Sequence, residues 1–387
     1  MKLLLVNSVC GIRSTGRICA DIAHEYELRG WSVKIAYGRE TYVPDGCKKW
    51  AVRVGSTLSV RLHGLFTRIF DWHGTGPCSW LSTRRFISWA ENWKPDIVWL
   101  HNIHGYFLNY ELLFQWIKRH PEMQVKWTLH SCWPFTGHCG HFDYVKCDKW
   151  KTGCLGHCPC KKNYPSSIFL SDSHGNLMRK KAAFCGVKNM CLISPSKWLA
   201  DLTRESILSE YSIEVLHNTI DSSIFKPFPS DFRDRNRLLG NYIILGVAST
   251  WTDRKGLDDF VRLAAIVDDR VKIVLVGLSK SQITSCPRNI IGISQTNSAH
   301  ELAEIYSAAD VFFNPTKEEN YPTVNLEAKA CGCKIVTYDT GGCSETVEGY
   351  EKAWILRGVD KSPEGLVNLL VNDRRLGYLA QHLAQEI

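Results

Sequence analysis

Short apolar runs alternate with stretches of helical period along most of this chain. Residues 3–6 read as a buried strand and residues 10–16 as a loop. Ile18, Ile22 and Tyr26 then share one face of a helix that ends near Gly30. Residues 33–37 form the next strand, so the chain opens with a βαβ unit and a parallel sheet. Apolar runs at 96–100, 125–129 and 190–194 extend the same scheme. A second series follows Pro227, with strands at 242–247, 271–276, 311–313 and 335–338. Its helices fall at 257–267, 302–306 and 324–330, and the Pro-bearing stretch 220–232 reads as a linker. The pattern predicts two doubly wound, Rossmann-like α/β domains over 1–222 and 223–370, with a helical tail over 371–387. Ligands are expected in the crevice at the carboxyl ends of the strands, between facing domains.

Composition narrows the function classes. A chain of 387 residues exceeds one ordinary core, which agrees with two domains. With 44% hydrophobic and 22% charged residues it is neither disordered nor fibrous. A net charge of +8 suits anionic partners such as phosphates or acidic headgroups. It lacks the dense basic stripe of a nucleic-acid reader. The opening apolar run, residues 1–6, is too short for a signal peptide, and no stretch reads as a membrane span. A reducing cytoplasm is the expected compartment, and the 16 cysteines are then not a disulfide framework.

The richest constellation lies in the second domain. Glu319 stands in the loop after the strand at 311–313, and Glu327 stands about a turn inside the next helix. Between them a helix N-terminus presents unsatisfied N–H groups and a positive dipole end, which suits a diphosphate. A carboxylate one turn further on can accept two hydrogen bonds from ribose hydroxyls.

The E-x7-E pattern of Glu319 and Glu327 resembles the retaining glycosyltransferases of the GT-B-fold family 4. The flanking Ala308 to Pro315, Glu327 to Gly332, and Gly341-Gly342 with Glu345 match as well. The resemblance covers nearly the whole chain. It implies that Glu319 contacts a donor sugar, Glu327 the ribose, and the backbone of Tyr321, Pro322, Thr323 and Val324 the phosphates. Lys255-Gly256 matches the family's diphosphate-gripping Lys-Gly pair. The family's upstream Arg is replaced near Ser249 or Thr250, which leaves two alternatives, Arg254 as the second cation or a weaker phosphate grip. Gly16, in the first strand-to-helix turn, is expected to face the donor. His130 matches the family's active-site His that touches the donor sugar. His101, Asn102 and His104 suit the acceptor side.

Two further segments stand out. Within the loop 131–164, Cys139, Cys147, Cys154 and Cys158 follow a C-x7-C-x6-C-x3-C spacing. They supply enough thiolates for a structural zinc ion that would fold a loop with little core of its own. No open His and carboxylate set points to a catalytic metal. Residues 61–94 mix Arg61, Arg68, Arg84, Arg85 and Lys94 with Leu65, Phe66, Trp72, Trp80 and Trp89. That mixture suits a membrane interface or a lipid-diphosphate acceptor.

The sequence thus points to a retaining, hexosyl-type transferase. It would move sugar from a nucleoside diphosphate sugar to a saccharide or lipid-linked saccharide, with peripheral contact at the cytoplasmic face of the inner membrane. Bacterial surface-polysaccharide biosynthesis is the setting the resemblance implies. A sugar-nucleotide epimerase of the same fold, a zinc-stabilised nucleic-acid binder and an inactive sugar binder are the alternatives.

Overall fold

The computed structural model describes residues 1–376. It divides into two compact units, Met1–His217 and a second that begins at Asn218. The first holds a seven-stranded parallel sheet. Its strands are β1 (Lys2–Val6), β2 (Ser32–Tyr37), β3 (Ala51–Arg53), β4 (Ile97–Leu100), β5 (Gln124–Thr128), β6 (Met190–Ser194) and β7 (Ile213–Val215), in the order β3-β2-β1-β4-β5-β6-β7. The second holds a six-stranded parallel sheet. Its strands are β8 (Tyr242–Val247), β9 (Val271–Val276), β10 (Ile290–Ile293), β11 (Val311–Asn314), β12 (Lys334–Tyr338) and β13 (Ala353–Leu356), in the order β10-β9-β8-β11-β12-β13.

The strands read as continuous apolar runs because both faces are covered by helices. Leu3, Leu4, Leu5 and Val6 of β1 are fully buried, with Leu3 and Leu5 packed to one side of the sheet and Leu4 and Val6 to the other. The same division holds in β8, where Ile244 and Ile243 belong to different cores. In each sheet the strand order reverses once, between β1 and β4 and between β8 and β11. A crevice opens where crossovers leave to opposite faces, so these two points are where ligands are held in such sheets.

One expectation needs correction. The helix Arg13–Leu28 begins earlier than the predicted loop allows, so Gly16 lies in its first turn, buried. Gly11 N donates to Gly16 O at 3.1 Å, which curls the turn back on the helix start. The basic, aromatic stretch 61–94 is two helices, Thr57–Phe70 and Trp80–Trp93, each ended by a left-handed residue, Asp71 and Lys94. Of the predicted tail 371–387, the described residues hold the end of the helix Pro363–Asn372 and a short 3-10 turn, Arg374–Leu376; the rest lies outside the described residues. Strands β3, β7, β10 and β13 escaped the sequence reading, being three or four residues long or partly exposed. Among the described residues no helix is long and apolar enough to cross a membrane.

Candidate functional site

The second unit brings its predicted residues together at its switch point. After β8 the chain turns through a single 3-10 turn, Asp253–Lys255, and enters the helix Leu257–Ile266 through Gly256. Gly256 is left-handed at φ +79°, and a Cβ there would come within 2.5 Å of Pro315 O. Only glycine lets this turn lie so close to the β11 exit. The two segments are then stitched: Lys317 N donates to Arg254 O at 2.8 Å, and Arg254 Nη1 donates to Glu318 O at 3.1 Å. This geometry delivers Lys255 Nζ to the Glu319 carboxylate as an ion pair of partly buried groups. Glu319 Oε1 also accepts from Asn320 N at 3.2 Å. Ser249 and Thr250, near the place of the family's Arg, are exposed, and Thr250 Oγ1 donates to Ser249 O at 2.7 Å.

From here the chain enters the helix Thr323–Ala330. Its N-cap is Pro322, no side chain caps it, and its first turn holds no acidic residue. The positive end of the helix is therefore not neutralised by its own side chains. Its position is fixed from beneath by a buried polar relay. Asn314 Nδ2 donates to Asn325 Oδ1 at 2.8 Å, and Asn325 Nδ2 donates to Thr346 Oγ1 at 2.8 Å. Thr346 Oγ1 donates in turn to Cys343 O at 2.5 Å. Glu327 Oε2 accepts from Tyr306 Oη at 3.1 Å, and Tyr306 Oη also lies 3.3 Å from Val324 O. Tyr306 was not singled out by sequence, since it sits on the apolar face of the helix Ala299–Ala308 and reads as core.

The first unit gathers a separate polar group at its own switch point. His101 follows β4 directly, and its Nδ1 lies 2.9 Å from His130 Nε2, two residues past β5. The rings stack with centroids 5.2 Å apart. Burial disfavours the imidazolium, so the His130 pKa falls to about 4. Asn102 N donates to Asn7 Oδ1 at 3.2 Å, which ties the β1 and β4 exits together. His104 packs against Trp133 and Tyr164 and is pushed down to about 3, by burial first and by Lys180 and Arg39 after it. Arg39 lies over the Tyr164 ring, 5.1 Å from its centroid. No sequence signal marks it, because its partner stands far along the chain.

The cysteine loop packs into the first core. Cys139, Cys147, Cys154 and Cys158 line one small cavity, together with His138. Beneath it lies a group absent from the sequence expectation. Asp71 Oδ1 stands 2.9 Å from His138 Nδ1 and 2.7 Å from His73 Nε2, all buried. Lys180 stands between Arg179 and Lys181 in a short basic run of the kind that usually forms a solvated face, yet it is fully buried. It donates to Trp133 O at 2.6 Å and Thr136 O at 2.9 Å. Helical period could have found it, since Leu177, Lys180 and Phe184 share the buried face of the helix Ser173–Phe184.

Comparison with known proteins agrees with this architecture. Residues 241–372 match the family described as Glycosyl transferases group 1. A putative colanic acid biosynthesis glycosyl transferase, WcaC of Escherichia coli K12, is 25% identical over 66% of this chain, which spans 62% of that protein. The N,N'-diacetylbacillosaminyl-diphospho-undecaprenol alpha-1,3-N-acetylgalactosaminyltransferase of Campylobacter jejuni is 30% identical over 37% of this chain and 39% of its own. The chain thus spans less than two thirds of these relatives. Sucrose-phosphate synthase from Thermosynechococcus elongatus superposes with a TM-score of 0.67 at 16% identity, over 97% of this chain and 90% of that one. WaaG, a glycosyltransferase involved in lipopolysaccharide biosynthesis, superposes at 0.62 with 14% identity, over 97% and 92%.

Proposed function

We propose that the chain is a group 1 glycosyltransferase of the GT-B fold, and that it moves a hexosyl group from a nucleoside diphosphate sugar to a saccharide hydroxyl with retention at the anomeric carbon. The observation that carries the donor assignment is the Lys255–Glu319 pair, set beside an uncapped helix N-terminus with Glu327 one turn inside it. On this reading the backbone from Tyr321 through Pro322 and Thr323 to Val324 receives the diphosphate, and Glu327 takes the ribose hydroxyls. Glu319 orients the sugar and is not a nucleophile. Lys255 and Arg254 supply positive charge where the departing diphosphate gains negative charge. The sugar C1–O bond to the β-phosphate breaks, the C1–O bond to the acceptor forms, and the acceptor proton passes to the departing phosphate. No catalytic metal is part of this reading. His130, half-buried and neutral, would hydrogen-bond the donor sugar, with His101 holding its ring.

His101, Asn102 and His104 would border the acceptor. We assign a lipid-linked saccharide as its class. Support comes from the helix Thr57–Phe70, which exposes Leu58, Leu62 and Leu65 in line with the cations Arg61 and Arg68. Ile168 and Phe169 are exposed too, and Ile168 N donates to Arg68 O at 2.8 Å, so they extend the same patch. An apolar stripe edged with cations suits the cytoplasmic headgroup layer of a bacterial inner membrane during surface-polysaccharide assembly.

A thermal-shift screen with UDP, GDP, ADP and dTDP tests the donor assignment, repeated on Glu327→Ala. One base should stabilise the parent, and the variant should lose most of that shift. If no nucleotide shifts the intact protein, the donor site is misassigned.

A further inference from the structure

The cavity under the cysteine loop measures about 10 Å³, room for one small ion and little more. Its walls are unusually rich in metal-binding atoms, for Cys139, Cys147, Cys154, Cys158 and His138 all line it. Each of these cysteines is a free thiol, so none is held in a disulfide. The thiol groups of Cys139, Cys158 and the buried Cys160 lie within hydrogen-bonding reach of one another, and Cys154 Sγ accepts from Gly137 N at 3.3 Å.

His138 supplies an independent pointer. It is 1% exposed, and its Nε2 has no hydrogen-bond partner among the described residues. Its Nδ1 is already engaged by Asp71 at 2.9 Å. Asp71 is itself anchored: its Oδ2 accepts from Asp172 N at 2.8 Å and lies 3.2 Å from Asn176 Nδ2. With a carboxylate acceptor fixing the proton on Nδ1, the lone pair sits on Nε2. A buried lone pair with no donor opposite it costs free energy unless a Lewis acid takes it. A carboxylate behind an imidazole is also the usual support of a metal-ligating His.

Asp71, His73 and His138 themselves form a trio of ligand-type atoms within 4.8 Å of one another. The Asp71 carboxylate is spent on four polar neighbours, however, so we read it as the support of a ligand and not as a ligand. Lys180 Nζ, bound to the carbonyls of Trp133 and Thr136 in the first residues of the loop, is a cationic group that would offset the charge of metal-bound thiolates.

We propose that this cavity is a structural zinc site, the tetrahedral ion taking four of the five donors Cys139, Cys147, Cys154, Cys158 and His138. The ion would draw the loop inward, since these donors surround the cavity more widely than the Asp71 trio. The site is independent of the sugar-transfer reading and stands or falls separately from it.

The test uses the full chain, untagged and purified without chelator from zinc-supplemented medium. Elemental analysis should find near-stoichiometric zinc. Replacement of zinc by Co(II) should produce an intense sulfur-to-cobalt charge-transfer band with tetrahedral d–d bands. The strength of that band separates a set of four thiolates from a set of three thiolates and one imidazole; either supports the site. Cys154→Ser combined with Cys158→Ser should lose the metal, whereas Cys286→Ser, outside the loop, should keep it. Chelation of the parent should speed hydrogen exchange across 137–160. Should the variants fail to fold, the parent decides alone. Parent protein without zinc and without the cobalt charge-transfer band overturns the proposal, as do disulfides among these four cysteines.

Discussion

Lys255→Met separates a structural role of the Lys255–Glu319 pair from a role in holding a donor. The change keeps an unbranched stem of similar length and removes the charge. In the unliganded protein the pair is partly open to water, with side chains 24% and 18% exposed. Solvent screening then limits its contribution to stability to about 1 kcal/mol or less. Against a bound diphosphate the same ammonium makes a charge-assisted contact worth about 1.5–3 kcal/mol. The dissociation constant for the nucleoside diphosphate should therefore rise about 10- to 150-fold while thermal stability barely moves. Linkage makes this visible in a melting experiment. A ligand at about 100 times its Kd stabilises by about 2.7 kcal/mol, and a 30-fold weaker site retains only about 0.9 kcal/mol at that concentration. Calorimetric titration of both proteins with the stabilising nucleotide gives the constants directly. A Kd within about threefold of the parent, with a clear loss of melting temperature, would refute the reasoning and make the pair a structural brace.

Gly256→Ala should destabilise the second unit by about 2–5 kcal/mol, from the left-handed backbone and from overlap with Pro315 O; an unchanged unfolding transition would show that the turn is not as tightly held as described. Tyr306→Phe removes the hydroxyl that Glu327 accepts from, and donor KM should rise about 5- to 30-fold with kcat nearly unchanged. Equal losses in kcat and kcat/KM would instead place Glu327 in the transition state alone. Acid should loosen the first unit. In the unfolded chain His130 and His104 take protons near pH 6.5, whereas in the fold burial holds them down to about 4 and about 3. Between those values the unfolded state binds more protons, so stability is full above pH 6.5 and falls as pH drops towards 4. Denaturant midpoints measured across that window check the direction, and His130→Asn should flatten the slope.

The elements that were legible in the sequence are those whose burial is complete. The runs forming β6, β8 and β9 were found to the residue because strands covered on both faces read as near-continuous apolar runs, broken only by Lys272 in β9 and closed by Ser194 in β6. The Glu319 to Glu327 segment was legible because its chemistry is local, a strand exit followed by a helix start. Tyr306 and Asp71 were not, because their partners lie far along the chain and only the folded sheets bring them near. Lys180 was hidden by its neighbours, since Arg179 and Lys181 make a buried ammonium look like one of three solvated charges. The helix start at Arg13 was missed because Gly11 and Gly16 suggest an open loop, and the backbone bond between them closes it into the helix.

The buried relay from Asn314 through Asn325 and Thr346 to the Cys343 carbonyl has a sense of travel. Asn314 donates, Asn325 and Thr346 each accept from one side and donate to the other, and the sequence of bonds ends on a carbonyl that can only accept. Such a relay has no second arrangement of equal energy. The helix that begins at Thr323 is thereby set against β11 before any ligand arrives. Association at this end of the domain is then a matter of encounter and desolvation, with no ordering step of its own. Its rate should follow ionic strength and viscosity and show no saturation as ligand concentration rises.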